Sequence, residues 1–567
     1  MKKSIIKKIS LLSFVSMIFV GCSSTNTTYL TSDDKGTATI RIYKDNSSTS
    51  KERYIAPSRV NMMHSYESLS GILANNESVC PSIGDVNLLV IPVHLPGDNT
   101  YKTDQVRNDI KEMMFGENSS RNGFVSLKEY YKESSFGKLN FFGVVTDWFD
   151  VEEHTSIKTI KDITQGNDGT IVNEILRKAV NWASNTQNID LKDFDKNKDG
   201  SIDGVWLIYD HLDWTTEVEI KVQENPSYDG SDINQAFWNF TYWDYETLPD
   251  TNNPTTSGFS WASFDMMYTS YGDRNDLGVI DLTSLTNIKL DSHTFIHETG
   301  HLLGLDDYYA TDDSYYHPAG SSTMMDQNIC DLDSYSKMIL GWVTPYVVYG
   351  TSEILLPKAN FSENSVIVIP SNYQEISDMV EASINKGTIK DFKYDFNPFS
   401  EYLMIDLYTP DGLNKQDTYG TRIYNREAGI DVSGVRIYHV DSRIFKCRVV
   451  DYLGGQKFSY VDGYVWDNKA FDYDEAVLMP ISNDKTEAIT FQLPDHFDYF
   501  DRIRLLEASK INTFDQGYYA SRNTLFNTRT DDFDITTFGY QFFDSNYTYN
   551  GGQDLPFKIN VKTMKGI

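Results

Sequence analysis

Residues 296–309 read IHETGHLLGLDDYY, and the spacing inside this stretch decides how the chain is read. On a helix over 294–303, His297 and His301 stand four positions apart, about 40° around the axis, so both imidazoles project from one face. Glu298 reaches the flank of that face, where a carboxylate can take a proton from water at a metal without being a ligand. Gly304 has no Cβ, so the helix can stop there and the chain can swing Asp307 back toward the same point. Two imidazole nitrogens and one carboxylate oxygen suit zinc, with a fourth position left open. Phe295 with Leu302, and Ile296 with Leu303, recur at a spacing of seven and line the flanks of a buried helix.

At 567 residues the chain is too long for one ordinary core, so two or three domains are expected. Aromatic residues make up 14%, and no long block of like charge occurs, which describes a globular, strand-rich chain rather than a disordered one. A net charge of −31 repels phosphate backbones and anionic headgroups, which argues against nucleic acid as a partner.

Residues 1–21 read as an export leader: four lysines, then an apolar run over 11–20 too short to span a membrane as a mature helix. Residues 19–22, FVGC, resemble the bacterial lipobox, which implies lipidation of Cys22, although Phe19 replaces the more usual Leu. The other reading is a plain cleaved leader with an incidental cysteine. A Ser/Thr-rich tether follows, so the expected place of the body is the outer surface of a bacterium, held to the membrane by lipid. Three cysteines remain, Cys80, Cys330 and Cys447, which permits at most one disulfide. Cys80 invites a thiolate latch on the metal, but a lone cysteine is more often a small buried apolar residue.

Residues 22–85 are polar and are read as tether and candidate pro-region. Residues 86–93, VNLLVIPV, are a buried first strand; 103–115 look helical; 126–149 give a helix and then a strand. Residues 171–183 keep a helical period, which predicts a long helix packed behind the metal-bearing one. Asp195, Asn197, Asp199, Ser201 and Asp203 offer oxygens at alternate positions around Gly200, as in the first nine places of an EF-hand-type calcium loop. Trp206 stands at the twelfth place instead of a bidentate Glu, so the ion would need completing from elsewhere; the alternative is an Asp/Gly-rich turn entering a strand over 204–210. Residues 320–326, GSSTMMD, fit a methionine turn with Met324, or Met325, beneath the metal. Residues 336–342 look like a closing helix ended by Gly341.

These motifs, with YYKESSFGKLNFFG at 130–143 and DKNKDGSIDGVW at 195–206, resemble bacterial zinc metallopeptidases of the immune inhibitor A family, within the wider metzincin-like group. The likeness extends weakly through 400–414 and 434–441. It implies an extracellular zinc endopeptidase with Glu298 as base, zinc on His297, His301 and Asp307, and proteins or peptides as substrates. Two departures stand out. Asp306 occupies a position where such proteins commonly carry Pro, which gives two adjacent candidate carboxylates, and Asp326 stands where many metzincins place Tyr. The hydroxyl that assists the oxyanion is then left among Tyr308, Tyr309 and Tyr335.

From about residue 346 short alternating or β-branched runs separated by Asp, Asn and Gly predict a β-rich domain, read as a sandwich. His439 and Asp441 share a strand face there, and a hydrogen-bonded structural histidine is the expected role. The expected architecture is thus an α+β peptidase domain over 86–345 followed by a β-rich domain over 346–567, acting as a monomer. Two other functions compete: a surface lipoprotein that keeps the fold but only binds, against which an intact Glu298 argues, and a zinc amidase acting on cell-wall peptides.

Overall fold

The structure, a computed structural model, describes residues 36–44, 58–59, 80–97, 100–164, 170–225, 237–244, 246–272, 281–310, 316–343, 345–348, 351–358, 365–368, 401–420, 428–441, 444–452, 455–464, 476–480, 483, 501–538, 549 and 555–566. The leader, Cys22 and the Ser/Thr-rich tether lie outside the described residues. Among the described residues no helix is long and apolar enough to cross a membrane.

The N-terminal α/β layer is built on a mostly parallel sheet. Strand β1 (Gly84–His94) lies between β2 (Leu139–Val145) and β3 (Val205–Tyr209), all parallel; β5 (Gly258–Ser263) continues the parallel set, and β4 (Phe240–Trp243) closes one edge antiparallel to β5. Side chains alternate along β1 and β3, so both faces are apolar, as parallel strands covered on two sides require. Val86, Leu88, Val90, Trp206 and Ile208 join one core, and Leu89, Ile91, Val93, Val205, Leu207 and Tyr209 join another.

Helices α1 (Asp104–Phe115) and α2 (Leu127–Ser134) cover the first face. Thr103 caps α1 by accepting from Val106 N, and Ser126 with Glu129 forms a capping box on α2. Helix α3 (Thr170–Asn185) covers the second face. The helix that carries His297 and His301, α4 (His293–Leu302), lies on the first face, so α3 sits behind the sheet and not behind α4; the helical period fixed its apolar stripe but not the face that stripe would meet. Two short helices follow, α5 (Met324–Gln327) and α6 (Ser334–Ile339), and Gly341 at φ +76° ends the second of these segments.

The β-rich half consists of two packed sheets and a separate three-stranded one. The first sheet runs β10 (Ile503–Leu505), β9 (Gly434–Asp441), β8 (Glu401–Tyr408), β7 (Ser365–Val368), Tyr346–Val348 and Ser58–Arg59. The second runs β6 (Ser352–Pro357), Thr37–Lys44, β11 (Phe557–Lys565) and Phe533–Asp534. Residues 22–85 were expected to be only tether and pro-region. Instead Thr37–Lys44 is an interior strand, antiparallel to both β6 and β11, with Ala38, Ile40 and Ile42 fully buried. Its inward positions alternate with Thr and Arg, a two-residue period inside a polar neighbourhood.

The boundary near residue 346 is not a loose hinge. Strands β8 and β9 are buried on both faces: Leu403, Ile405, Val435 and Ile437 face the second sheet, while Tyr402, Met404, Tyr438 and Val440 belong to the core that contains α4. The first sheet is therefore a middle layer shared by the core that contains α4 and the core of the second sheet.

Candidate metal centre

Helix α4 is held on several sides. Trp206 Nε1 of β3 donates to Thr299 Oγ1 (3.1 Å), Tyr131 Oη of α2 donates to the Ile296 carbonyl (2.7 Å), and Phe295 packs on Trp206. The C-terminus ends in a Schellman turn: Gly304 N donates to His301 O (2.8 Å) and Leu305 N to Gly300 O (2.9 Å), with Gly304 at φ +90°. That left-handed residue sends the chain back so that Asp307 approaches the two histidines.

The three predicted ligand atoms form a triangle. His301 Nε2 is 3.2 Å from His297 Nε2, and Asp307 Oδ1 is 3.0 Å from His297 Nε2 and 3.4 Å from His301 Nε2. A tetrahedral site with ligands at about 2.1 Å has edges of about 3.4 Å, so the trio fits three corners around one small divalent ion. Orientation agrees with the spacing. His297 Nδ1 donates to Met324 O (3.0 Å) and His301 Nδ1 to Leu305 O (2.9 Å), which leaves both Nε2 lone pairs turned inward. Two inward lone pairs and a carboxylate form a cage for a cation. Among the described residues this is the only group of three or more His, Cys, Asp or Glu whose ligand atoms lie within 4.8 Å of one another.

The electrostatics show the same demand for positive charge. Burial disfavours a charged His301, but Asp307 outweighs it and raises the imidazole to about 10. Burial pushes Asp307 upward, yet His301 and His297 reverse this and hold it well below the usual carboxylate range. Glu298 is raised, first by burial, and the histidines and a Thr241 hydrogen bond oppose the rise. Thr241 is a residue that sequence reasoning missed. It sits on edge strand β4, and its hydroxyl lies 3.0 Å from Glu298 Oε2, 2.9 Å from Glu298 O and 2.9 Å from Ser260 Oγ.

Of the three tyrosines left open, Tyr308 is fully buried and bonded to Ser336 Oγ (2.9 Å), and Tyr335 is fully buried in the core. Tyr309 faces the centre: its ring stacks beside His297 at 6.4 Å, and its hydroxyl bonds Asp307. Asp326 binds His317 Nδ1 (2.6 Å) and accepts from Ser321 N (2.6 Å), a loop-fixing role.

Asp306 does not join the trio; Arg502 holds it at 2.8 Å. The methionine turn uses Met325. Its sulfur lies 2.5 Å from where a Cβ on Gly300 would stand, directly against α4, whereas Met324 contributes its carbonyl to His297. Sequence named Met324 first because S-x-M spacing does not report which of two adjacent side chains turns under the helix.

In the residues 195–203 loop, Asp195 accepts from Asp199 N and Gly200 N, and Asp203 from Lys196 N. Asn197 and Ser201 bond Asp199. Among the described residues, Asp195, Asp199 and Asp203 do not form a three-ligand group of the kind that His297, His301 and Asp307 form. Burial, with repulsion from Asp195 and Asp199, raises Asp203 to about 7.

Cys80 and Cys330 are buried, and burial pushes both thiols up, which disfavours a thiolate latch; the side chain of Cys447 lies outside the described residues. His439 Nε2 donates to Glu401 Oε1 (2.8 Å), its ring stacks on Tyr549, and Asp441 is fully buried in the same strand.

No curated protein matches this chain. Residues 85–329 match the family model described as immune inhibitor A peptidase M6, catalytic domain, a span that includes α4, the Asp307 loop and α5. Over that span, which is less than half of the chain, the sequence is similar to the catalytic domain of immune inhibitor A peptidases.

Proposed function

We propose that the chain is a zinc endopeptidase that cleaves proteins outside the cell. The triangle of His297, His301 and Asp307, with both imidazoles oriented by backbone carbonyls, carries this reading. Those three residues would hold the ion, which when bound supplies a Lewis acid and lowers the pKa of water. Everything else belongs to the chain. Glu298, buried beside the two imidazoles, accepts the proton of the attacking water and returns it to the leaving amine. The Thr241 hydroxyl steers one carboxylate oxygen, so that the other is left for the water. The Tyr309 hydroxyl bonds Asp307 and is the group we assign to the negative charge that develops on the carbonyl oxygen. Among the described residues β4 pairs only with β5, and its outer edge is where we place an extended substrate.

The leader and Cys22 support an exported, lipid-anchored enzyme. Calcium in the 195–203 loop is proposed as a structural ion only.

The deciding test uses residues 23–567, which keep the interior strand Thr37–Lys44, together with Glu298→Gln. Equal zinc in both proteins, with casein cleavage lost about 10²–10⁴-fold only in the variant, is the expected outcome. Zinc in neither protein would sink the metal assignment. Cleavage of peptidoglycan stem peptides but not of casein would favour the amidase, and cleavage of neither with zinc present would favour the binding protein.

A further inference from the structure

The loop that carries Asp307 is held from the far end of the chain. Arg502, 2% exposed, reaches Asp306 Oδ2 at 2.8 Å. Asn483, fully buried, donates to Tyr308 O (2.9 Å), and its amide also spans Ile503 O (3.0 Å) and Ile503 N (3.2 Å). Asp307 thus lies between two residues that are each fixed by the sandwich. The anchorage continues outward. Leu505 N donates to Pro318 O (2.9 Å), Tyr316 Oη to Asp501 Oδ2 (2.6 Å) and Ala520 N to Gly320 O (2.8 Å). Arg502 is itself placed by the sheet, because its carbonyl accepts from Asp441 N of β9 at 2.9 Å.

A ligand on a loop meets its metal only if the loop is held near the bound geometry, and partners of ligands typically change metal affinity 10–100-fold when removed. Within the loop, Asp306 and Asp307 have the same side chain and nearly the same reach. Arg502 sorts them. It draws the first carboxylate toward the sandwich, and the chain direction then turns the second toward His297 and His301.

We propose that Arg502 and Asn483 are positioning residues of the peptidase centre, through which the C-terminal sheet sets the affinity of the His297, His301, Asp307 site for its ion. This rests on reading the trio as the zinc site. It makes the C-terminal sheet a determinant of the metal site's geometry.

The test is competition for zinc against a chromophoric chelator, with wild type, Arg502→Met, Arg502→Lys, Asp306→Asn and Asp307→Ala, each checked for folding by circular dichroism. Arg502→Met and Asp306→Asn should each lose 10–100-fold in zinc affinity, Arg502→Lys less, and excess zinc should restore casein cleavage to Arg502→Met. Folded Arg502→Met and Asp306→Asn with affinities within twofold of wild type would overturn the proposal. Should Arg502→Met fail to fold, Asp306→Asn alone decides, because that residue is partly exposed and the replacement is isosteric. An unchanged affinity in Asp307→Ala would instead refute the zinc trio itself, so failure of the clamp and failure of the site are told apart.

Discussion

His293 opens α4 one helical turn before His297 and is completely buried between two carboxylates. Its Nδ1 pairs with Asp291 Oδ1, its Nε2 lies 3.1 Å from Asp417 Oδ1 on helix α7 (Asn414–Tyr419) of the β-rich half, and its ring stacks on Phe124 at 4.0 Å. Burial disfavours the charged ring, but Asp417 and Asp291 outweigh it and raise His293 to about 9 from 6.5. A proton held that much more tightly in the folded state stabilises it by about 3 kcal/mol. Because the folded pKa is the higher one, this contribution is complete below about pH 6.5 and is lost as pH rises through about 9. The assay is urea unfolding of metal-stripped wild type and His293→Gln from pH 6 to 10, the chelated state removing any linkage to zinc. Wild type should lose about 3 kcal/mol across that range relative to the variant, and the variant should already be less stable at pH 6 because it leaves two buried carboxylates without their cation. Parallel curves for the two proteins would refute the charged-histidine argument.

Other expectations follow from named contacts. Thr241→Val removes the hydroxyl beside Glu298 while keeping shape; a hydrogen bond to a charged group is worth about 1.5–3 kcal/mol, so kcat/KM on a quenched peptide should fall about tenfold or more with zinc content unchanged. Gly304→Ala places a Cβ at φ +90°, which costs about 1–2 kcal/mol; it should lower the thermal midpoint and weaken zinc retention on dialysis against a chelator. Removal of residues 1–50 takes Ala38, Ile40 and Ile42 from the second sheet, each isoleucine contributing about 1.5–3 kcal/mol, so residues 51–567 should be much less soluble and less stable than 23–567 in a denaturant titration.

What could be read from the sequence is local. The four-residue spacing of His297 and His301, the adjacent Glu298 and the Gly304 stop are properties of one helix and its cap, and helix geometry maps spacing onto direction without reference to the rest of the chain. Strands β1 and β3, helices α1 to α3 and the change to β-rich patterning after residue 346 were legible for the same reason, since periodicity survives in any surroundings. What only the tertiary structure decided is which of two equivalent neighbours faces the centre. Asp307 meets the histidines while Asp306 pairs with Arg502; Met325 and not Met324 lies under Gly300; Tyr309 and not Tyr308 or Tyr335 stands beside His297. Thr241 reaches Glu298 from another element, and Thr37–Lys44 takes its place in a sheet completed by strands more than 300 residues away. Adjacent residues share one local pattern, and only contacts made by distant parts of the chain can make their environments differ.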